Sequence, residues 1–219
     1  MMKPRYATLI FDLDGTLADT LPLIYESFND AFVPITGQKL APAEIRALFG
    51  PPDNYVIRSV LDPEHHDAAI ARYVETYERR HRDLVELFHG IDDLLADAHA
   101  AGVKLAVVTG KSRNTALVTL DILGVLHWFD VIYAGDDVDR QKPDPMALVM
   151  ALDDLAHGDP ALAAMIGDSA ADVLAGKGAG VATIGVLWGV PDHADLMAAG
   201  PDIVCESVDE LRLAVGLER

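Results

Sequence analysis

The sequence predicts an α/β protein with a doubly wound, mainly parallel sheet of the Rossmann type and an inserted helical segment. Its strand-like segments are continuous apolar runs, which is typical of a parallel sheet covered on both faces. From residue 88 onward these runs alternate with helical patterns, as in βαβ units. Between residues 20 and 87 nothing has the pattern of a strand. We therefore expect a core of residues 1–17 and 88–219 and an inserted α-helical cap domain of residues 18–87.

The first strand is predicted at residues 5–11 and stops abruptly at Asp12. A helix is predicted to begin near Thr20, because apolar residues then recur every three or four positions as far as Phe32. A loop is expected at residues 34–39. Three further helices are predicted in the cap, at residues 43–49, 54–61 and 63–84.

Strands and helices alternate in the second part of the chain, as the fold class requires. Strands are predicted at residues 103–108, 131–134, 162–166, 181–187 and 203–205. Helices are predicted at residues 91–101, 112–123, 145–156, 170–176, 193–199 and 208–217.

Composition argues against several classes of protein. The chain has 219 residues and a net charge of −18, which disfavours nucleic acid because that binding depends on Lys and Arg neutralising phosphates. No apolar stretch reaches the roughly 18 residues of a transmembrane helix, and the first apolar run is too short for a signal peptide. The one cysteine, Cys205, cannot form an internal disulfide. We expect a cytoplasmic monomer or homodimer without nucleic-acid or membrane partners.

Four short polar motifs stand where predicted strands end. In chain order they are Asp12-Leu13-Asp14-Gly15-Thr16, Thr109-Gly110-Lys111, Lys142-Pro143 and Gly167-Asp168-Ser169-Ala170-Ala171-Asp172. Doubly wound sheets bind ligands in the crevice outside the carboxyl ends of their strands, so the four motifs are expected to meet there. Two aspartates so close together need a partner at such a place, because an unpaired buried charge is costly. A metal ion is the natural partner.

Together the motifs hold what phosphoryl transfer requires, which is mostly positioning and neutralisation of charge. One carboxylate can attack phosphorus and form an aspartyl-phosphate, and a second can protonate the leaving oxygen and then activate water. Mg²⁺ prefers oxygen ligands, and Asp168 with one of the first two aspartates can hold it. Lysine adds a positive charge and threonine a hydroxyl donor.

The ordered set of motifs resembles the haloacid dehalogenase-like superfamily, on its phosphatase branch with an all-helical cap and phosphoglycolate phosphatase-like members. The resemblance covers the chain from Tyr6 to about Leu217. It implies that Asp12 is the nucleophile and Asp14 the general acid/base. It also implies that Lys142 neutralises the charge of the nucleophile and the phosphate.

The remaining roles that the resemblance implies concern phosphate and metal. Thr109 and the amide of Gly110 would bind the phosphoryl group. Asp168 would ligate Mg²⁺ together with Asp12 and the backbone carbonyl of Asp14. Ser169 and Asp172 would support the metal, in part through water, although Asp172 is also the kind of first-turn carboxylate that a helix dipole favours.

Within this superfamily the second aspartate, Asp14, argues against a dehalogenase. The stretch from Phe49 to Tyr55 has no lysine for a phosphonate hydrolase, and Ile24 stands where sugar-phosphate mutases have a histidine. Hydrolysis of a small phosphate ester therefore remains, with phosphoglycolate as the leading substrate and pyrophosphate and nucleotides as alternatives. A non-catalytic binding protein on the same fold is the hypothesis from a different class.

Several residues have two open interpretations. Gly50 and Arg58 are candidates for substrate binding in the cap, where an anionic group would need a cation, although Arg58 fits a helix-surface arginine slightly better. Lys111 either touches phosphate or lies at the surface. Trp188, with Gly189, either matches a segment frequent in phosphoglycolate phosphatase-like proteins or simply packs at a strand end.

Overall fold

The computed structural model describes residues 4–156, 159–190 and 192–217. Within them the strands are β1 (Thr8–Phe11), β2 (Ala18–Asp19), β3 (Glu86–Leu87), β4 (Lys104–Val108), β5 (Val131–Tyr133), β6 (Ala163–Gly167), β7 (Ala182–Val186) and β8 (Ile203–Cys205). Six of them form a parallel sheet in the order β5-β4-β1-β6-β7-β8. The predicted α/β fold with a doubly wound parallel sheet is confirmed.

The helices that the structure describes are α1 (Leu21–Thr36), α2 (Pro42–Arg46), α3 (Asp53–Val60), α4 (His66–Leu84), α5 (Ile91–Ala100), α6 (Arg113–Ile122), α7 (Met146–Asp154), α8 (Ala170–Ala179), α9 (Ala194–Ala199) and α10 (Val208–Val215). Helices α1 to α4, which we call the cap helices, all lie between β1 and the rest of the sheet in sequence. The exact division into core and cap domains stays a prediction.

Both faces of the sheet are covered, which explains why its strands have no polar alternation. On β1, Leu9 and Phe11 belong to a core that includes residues of α5 and α10. Ile10, between them, points to the other face and packs in a second core with residues of α7 and α8. A strand buried on both sides in this way has only apolar positions.

The strand order places the crevice of the sheet beside β1. From β1 the chain moves to β4 and β5 on one side, and then crosses back to β6, β7 and β8 on the other. Ligands bind such sheets where the direction of winding reverses. Here this point lies between the carboxyl ends of β1 and β6, which are followed directly by Asp12 and Asp168.

The cap helices have an apolar core of their own, in which α1 packs along α4. Phe28 of α1 lies 4.8 Å from the ring of Tyr73 and 5.5 Å from that of Phe32, measured between ring centroids. Tyr73 stacks in turn on Tyr77. Tyr73 and Tyr77 of α4 therefore belong to the packed core of the cap helices.

Two details of this region differ from the sequence-based prediction. Helix α1 runs through Pro34 to Thr36, where a loop was expected, and ends at Gly37 in a left-handed conformation. Pro34 lies in the last turn and removes only the hydrogen bond that its N–H would make to the carbonyl of Asp30, and the hydroxyl of Thr36 donates to the carbonyl of Phe32 nearby. A second difference is that β3 lies within a region predicted to contain no strand.

Strands β2 and β3 pair in the antiparallel direction, Ala18 with Leu87 and Asp19 with Glu86. Each strand has two residues, too few to produce an alternating pattern. The pairing holds together the two chain segments that connect the cap helices to the sheet.

Among the described residues, no helix combines the length and apolar character needed to cross a membrane.

Candidate active site

Asp12 directly follows β1 and is bonded into the sheet, since its backbone N–H donates to the carbonyl of Ile166 on β6. Its carboxylate accepts a hydrogen bond from the N–H of Leu13 at 2.8 Å. Burial raises the pKa of Asp12 to about 6, because Lys142 opposes this effect only in part and Asp172 and Asp14 add to it. The carboxylate therefore depends on nearby cations to remain ionised.

Asp14 has both carboxylate oxygens occupied by donors. The hydroxyl of Thr20 donates to Oδ1 at 2.6 Å, and the ammonium of Lys111 lies 3.1 Å from Oδ2. A carboxylate held at both oxygens has a fixed orientation, as a general acid/base requires.

The turn from Asp14 to Thr16 is fixed because two other segments of the chain lie very close to its backbone. Gly15 has a φ of 76°, and a Cβ at this position would overlap with the carboxylate of Asp168. The indole N–H of Trp188 donates to the carbonyl of Thr16 at 3.0 Å, and a Cβ on Gly189 would overlap with Gly15. Trp188 thus packs at a strand end, as one interpretation predicted. Its hydrogen bond also holds the turn from Asp14 to Thr16 in position.

Lys142 reaches into the crevice from the loop after β5 and is almost completely buried. Its ammonium donates to Asp172 at 2.6 Å and to the carbonyl of Val108 at 2.8 Å, and it lies 3.1 Å from Oδ1 of Asp12. Although burial lowers the pKa of Lys142, the charges of Asp12 and Asp172 raise it above its usual range. A permanent positive charge therefore faces Asp12.

Asp168 follows β6 and faces Asp12 across the crevice. Burial raises the pKa of Asp168 well above its usual range, and repulsion by Asp12 and Asp172 adds to this. A carboxylate in such surroundings is stabilised when a cation binds beside it.

Asp172 lies in the first turn of α8, at the third position after the N-cap residue Ser169. One of its oxygens accepts from Lys142, and the other accepts from the amide and the hydroxyl of Ser169. The two residues form a capping box that completes the helix N-terminus. Asp172 therefore orients Lys142, and the metal role suggested for Asp172 and Ser169 stays a prediction.

The carboxylates fit a hard divalent cation. One oxygen each of Asp12, Asp168 and Asp172 lie within 4.8 Å of one another, with the ammonium of Lys142 as the neighbouring positive charge. Oxygen donors at this spacing suit Mg²⁺, which takes oxygen ligands and keeps several waters. Because Asp172 already has other partners, Asp12 and Asp168 are the carboxylates best placed to be ligands.

Thr109 and Gly110 follow β4 and line the same cavity as Asp12 and Asp168. Thr109 is nearly buried, and its backbone N–H donates to the carbonyl of Tyr133 on β5. A Cβ on Gly110 would come within 3.0 Å of the carbonyl of Gly50, so the cap approaches the sheet closely here. All four sequence motifs therefore meet at one edge of the sheet.

The cavity has a volume of about 540 Å³ and lies between this edge and the cap helices. Gly50 lines it, as expected of a substrate-binding candidate. Arg58 does not: it lies on the exposed side of α3, 3.6 Å from Asp67 and beside His66. The cap cation that does line the cavity is Arg46, whose guanidinium donates to the hydroxyl of Tyr25 at 3.1 Å.

Lys111 is the clearest departure from expectation. Its side chain is 2% exposed, so a surface role is wrong, and its ammonium pairs with Asp14 rather than standing free for phosphate. Sequence alone gave no signal for this pairing, because it depends on the cap helix that covers Lys111. Arg46 was missed for a similar reason: a short exposed helix has no pattern that reveals which face meets a cavity.

Comparison with known proteins agrees with the motifs. Residues 9–186 match the family model described as haloacid dehalogenase-like hydrolase. The chain is 34% identical over 218 residues to the pyrophosphatase PpaX of Bacillus velezensis, covering all of both chains. It is 36% identical over 212 residues to the pyrophosphatase PpaX of Halalkalibacterium halodurans, covering 96% of this chain and 97% of the other.

Solved structures share the fold over nearly the whole chain. CbbY from Rhodobacter sphaeroides in complex with phosphate superposes with a TM-score of 0.81 at 28% identity, covering 94% of this chain and 96% of that one. A predicted phosphoglycolate phosphatase from Haemophilus somnus 129pt gives a TM-score of 0.86 at 22% identity, with 96% and 98% covered. At that identity the second likeness supports the fold alone.

Proposed function

Because the chain belongs to the haloacid dehalogenase-like hydrolases and is a phosphatase, we propose that it works through an aspartyl-phosphate formed on Asp12. The observation that carries this proposal is the position of the Asp12 carboxylate, at the switch point of the sheet and 3.1 Å from the ammonium of Lys142. Lys142 keeps the carboxylate ionised and also faces the place where phosphate charge would gather.

The first step is attack by an oxygen of Asp12 on phosphorus. A bond forms between that oxygen and phosphorus, and the bond from phosphorus to the leaving oxygen breaks. Asp14, in its protonated form, gives its proton to the leaving oxygen. Thr109 and the amide of Gly110 line the cavity beside Asp12 and can hold the phosphoryl oxygens.

The second step is hydrolysis of the aspartyl-phosphate. Asp14, now a carboxylate, takes a proton from water while the water oxygen bonds to phosphorus. The bond between phosphorus and Asp12 then breaks, which releases phosphate and restores Asp12. Asp14 suits this role because the hydroxyl of Thr20 holds one of its oxygens.

Mg²⁺ is the cofactor we propose, with Asp12, Asp168 and the backbone carbonyl of Asp14 as ligands and Asp172 and Ser169 in support. When bound, the ion neutralises charge on the phosphoryl oxygens. The raised pKa of Asp168 and the surplus of carboxylates over ammonium groups in the crevice both favour a bound cation.

We propose pyrophosphate as the leading substrate and phosphoglycolate as the second candidate. We propose that the enzyme acts in the cytoplasm. The full-length relatives at 34% and 36% identity are named pyrophosphatases, which favours pyrophosphate. Both compounds carry a second anionic group beyond the scissile bond. Arg46 supports such a substrate, since the ammonium groups of Lys111 and Lys142, which also line the cavity, already pair with aspartates.

The test is phosphate release from pyrophosphate, phosphoglycolate, nucleoside monophosphates and p-nitrophenyl phosphate, with Mg²⁺ and with EDTA. We expect release that requires Mg²⁺, with the highest kcat/KM on pyrophosphate. Asp12→Asn should lower kcat by a factor on the order of 10⁴ while its circular dichroism spectrum stays that of the wild type.

Asp121→Asn, on the exposed surface of α6, is the matched control and should keep full activity. Activity retained in Asp12→Asn would overturn the assignment of the nucleophile. No metal-dependent release from any of these compounds would instead support a non-catalytic binding protein.

A further inference from the structure

The buried ammonium of Lys111 is the charged group of the crevice that the mechanism leaves unexplained. It stands two residues after Thr109 and lines the same cavity, and its ammonium pairs with Asp14. Its Nζ lies 3.1 Å from Oδ2 of Asp14, and its side chain is 2% exposed. A buried charge is retained only where it has a partner, and this partner is the proposed acid/base.

We propose that Lys111 is a positioning residue that fixes the orientation of the Asp14 side chain for the transfer of a proton from water. The inference rests on the proposed function. With Thr20 on one oxygen and Lys111 on the other, the Asp14 side chain has no freedom to turn. A good leaving group departs without a proton from Asp14, whereas hydrolysis of the aspartyl-phosphate always needs a group that takes a proton from water. With such a substrate the second step therefore depends on Lys111 more than the first.

The cap helices hold Lys111 in place. Its ammonium lies 4.6 Å from the centroid of the Tyr77 ring, which is within range of a cation–π interaction. The hydroxyl of Tyr77 is 2.7 Å from that of Thr119 on α6, so the ring is fixed between the cap and the sheet. The pairing of Lys111 with Asp14 is therefore covered by the cap helices.

The test is the Lys111→Met variant, which keeps the length of the side chain and removes its charge. With p-nitrophenyl phosphate, whose leaving group needs little protonation, rapid mixing should show a burst of about one nitrophenolate per active site. The following steady rate should be about tenfold below that of the wild type, because hydrolysis of the intermediate has become limiting.

A loss of general stability would not give this pattern, since it would lower burst and steady rate together. The steady kcat of Lys111→Met should also become the same for aryl phosphates with different good leaving groups, because they share the aspartyl-phosphate. Lys111→Arg should restore most of the steady rate. Lys177→Met, which removes an exposed lysine bonded to the carbonyl of Ala199, is the matched control and should behave as wild type.

Different results would overturn the proposed function and the proposed role of Lys111. If the wild type releases no phosphate in the presence of Mg²⁺, the proposed function is wrong. If the wild type is active and Lys111→Met either keeps its full steady rate or loses burst and steady rate equally, the proposed function stands and the role of Lys111 is overturned.

Discussion

Lys142 contacts oxygens from three separate parts of the fold: the carboxylates of Asp12 and Asp172 and the carbonyl of Val108. Asp12 follows β1, Val108 ends β4 and Asp172 lies in the first turn of α8, so the position of one ammonium depends on the correct assembly of these three elements. Such a residue has little conformational freedom left. A fixed positive charge of this kind needs no rearrangement when phosphate charge develops in front of it.

The first prediction at the residue scale concerns Arg46. Arg46→Gln should raise KM for pyrophosphate about tenfold, because the guanidinium is the lining cation that could pair with the second anionic group. The KM for p-nitrophenyl phosphate, which has no such group, should change less than twofold. Steady-state kinetics on both substrates measure the difference.

The matched control for this variant is Arg58→Gln, because Arg58 lies on the same group of helices but outside the cavity lining. Its kinetic constants should equal those of the wild type on both substrates. A larger effect of Arg58→Gln than of Arg46→Gln would contradict the assignment and would return the substrate-binding role to Arg58.

At the residue scale, the sequence predicted which residues belong to the site better than it predicted where their side chains lie. Asp12, Asp14, Lys142 and Asp168 were identifiable because each ends or follows an apolar strand, and strand ends converge in this fold. The partners of Lys111 and the exposure of Arg58 depend on how helices pack far away in sequence. No local spacing encodes that packing.

At the scale of elements, the segment after β7 supports the turn after β1. Trp188 bonds to Thr16, and Gly189 lies against the backbone of Gly15 with no room for a side chain. The loop after one strand therefore sets the position of the aspartates that follow another.

Gly189→Ala should displace the turn that carries Asp14, because the new methyl group would overlap with the Gly15 carbonyl. We expect kcat to fall by about tenfold or more with a modest loss of stability, since a small misplacement of a catalytic group is costly. Gly102→Ala is a useful comparison: nothing lies within 4 Å of its Cβ, although its φ of 78° adds backbone strain. Gly102→Ala should destabilise the fold yet keep kcat, whereas equal kcat losses in both would contradict the proposed support.

Elements with a clear apolar run or helical period were predictable almost to their ends, for example β8 and the helices α4 and α5. Boundaries were wrong where a tertiary contact decides them. Strands β2 and β3 exist only because they pair with each other. Sequence patterns describe one segment at a time and do not contain such pairings.

At the scale of the whole molecule, buried hydrogen bonds join the cap helices to the sheet. The hydroxyl of Thr115 on α6 lies 2.8 Å from the carboxylate of Asp53 at the start of α3, and Tyr77 meets Thr119 nearby. Asp53 is 8% exposed, and its carboxylate accepts hydrogen bonds from this hydroxyl and from the N–H of Asn54. These contacts hold the cap over the cavity.

Thr115→Val should loosen this arrangement, because it removes a donor from a buried carboxylate. We expect a loss of about 1–3 kcal/mol in the free energy of unfolding and faster hydrogen exchange in α3. Chemical denaturation and exchange mass spectrometry measure the two effects.

Thr36→Val serves as the control, because the Thr36 hydroxyl bonds only to nearby backbone within the described part of the chain. It should leave exchange in α3 unchanged. Unchanged exchange in Thr115→Val as well would show that the Asp53 contact does not hold the cap.

The pairing of β2 with β3 has an evolutionary consequence. Because the chain leaves the sheet and returns to it along adjacent strands, the gap to be bridged is one interstrand spacing, about 4.8 Å. An insertion between two such ends can grow or shrink at small entropic cost, since that cost rises only slowly with loop length. The helices between β2 and β3 can thus change in length and sequence, while β1 and its aspartates keep their position.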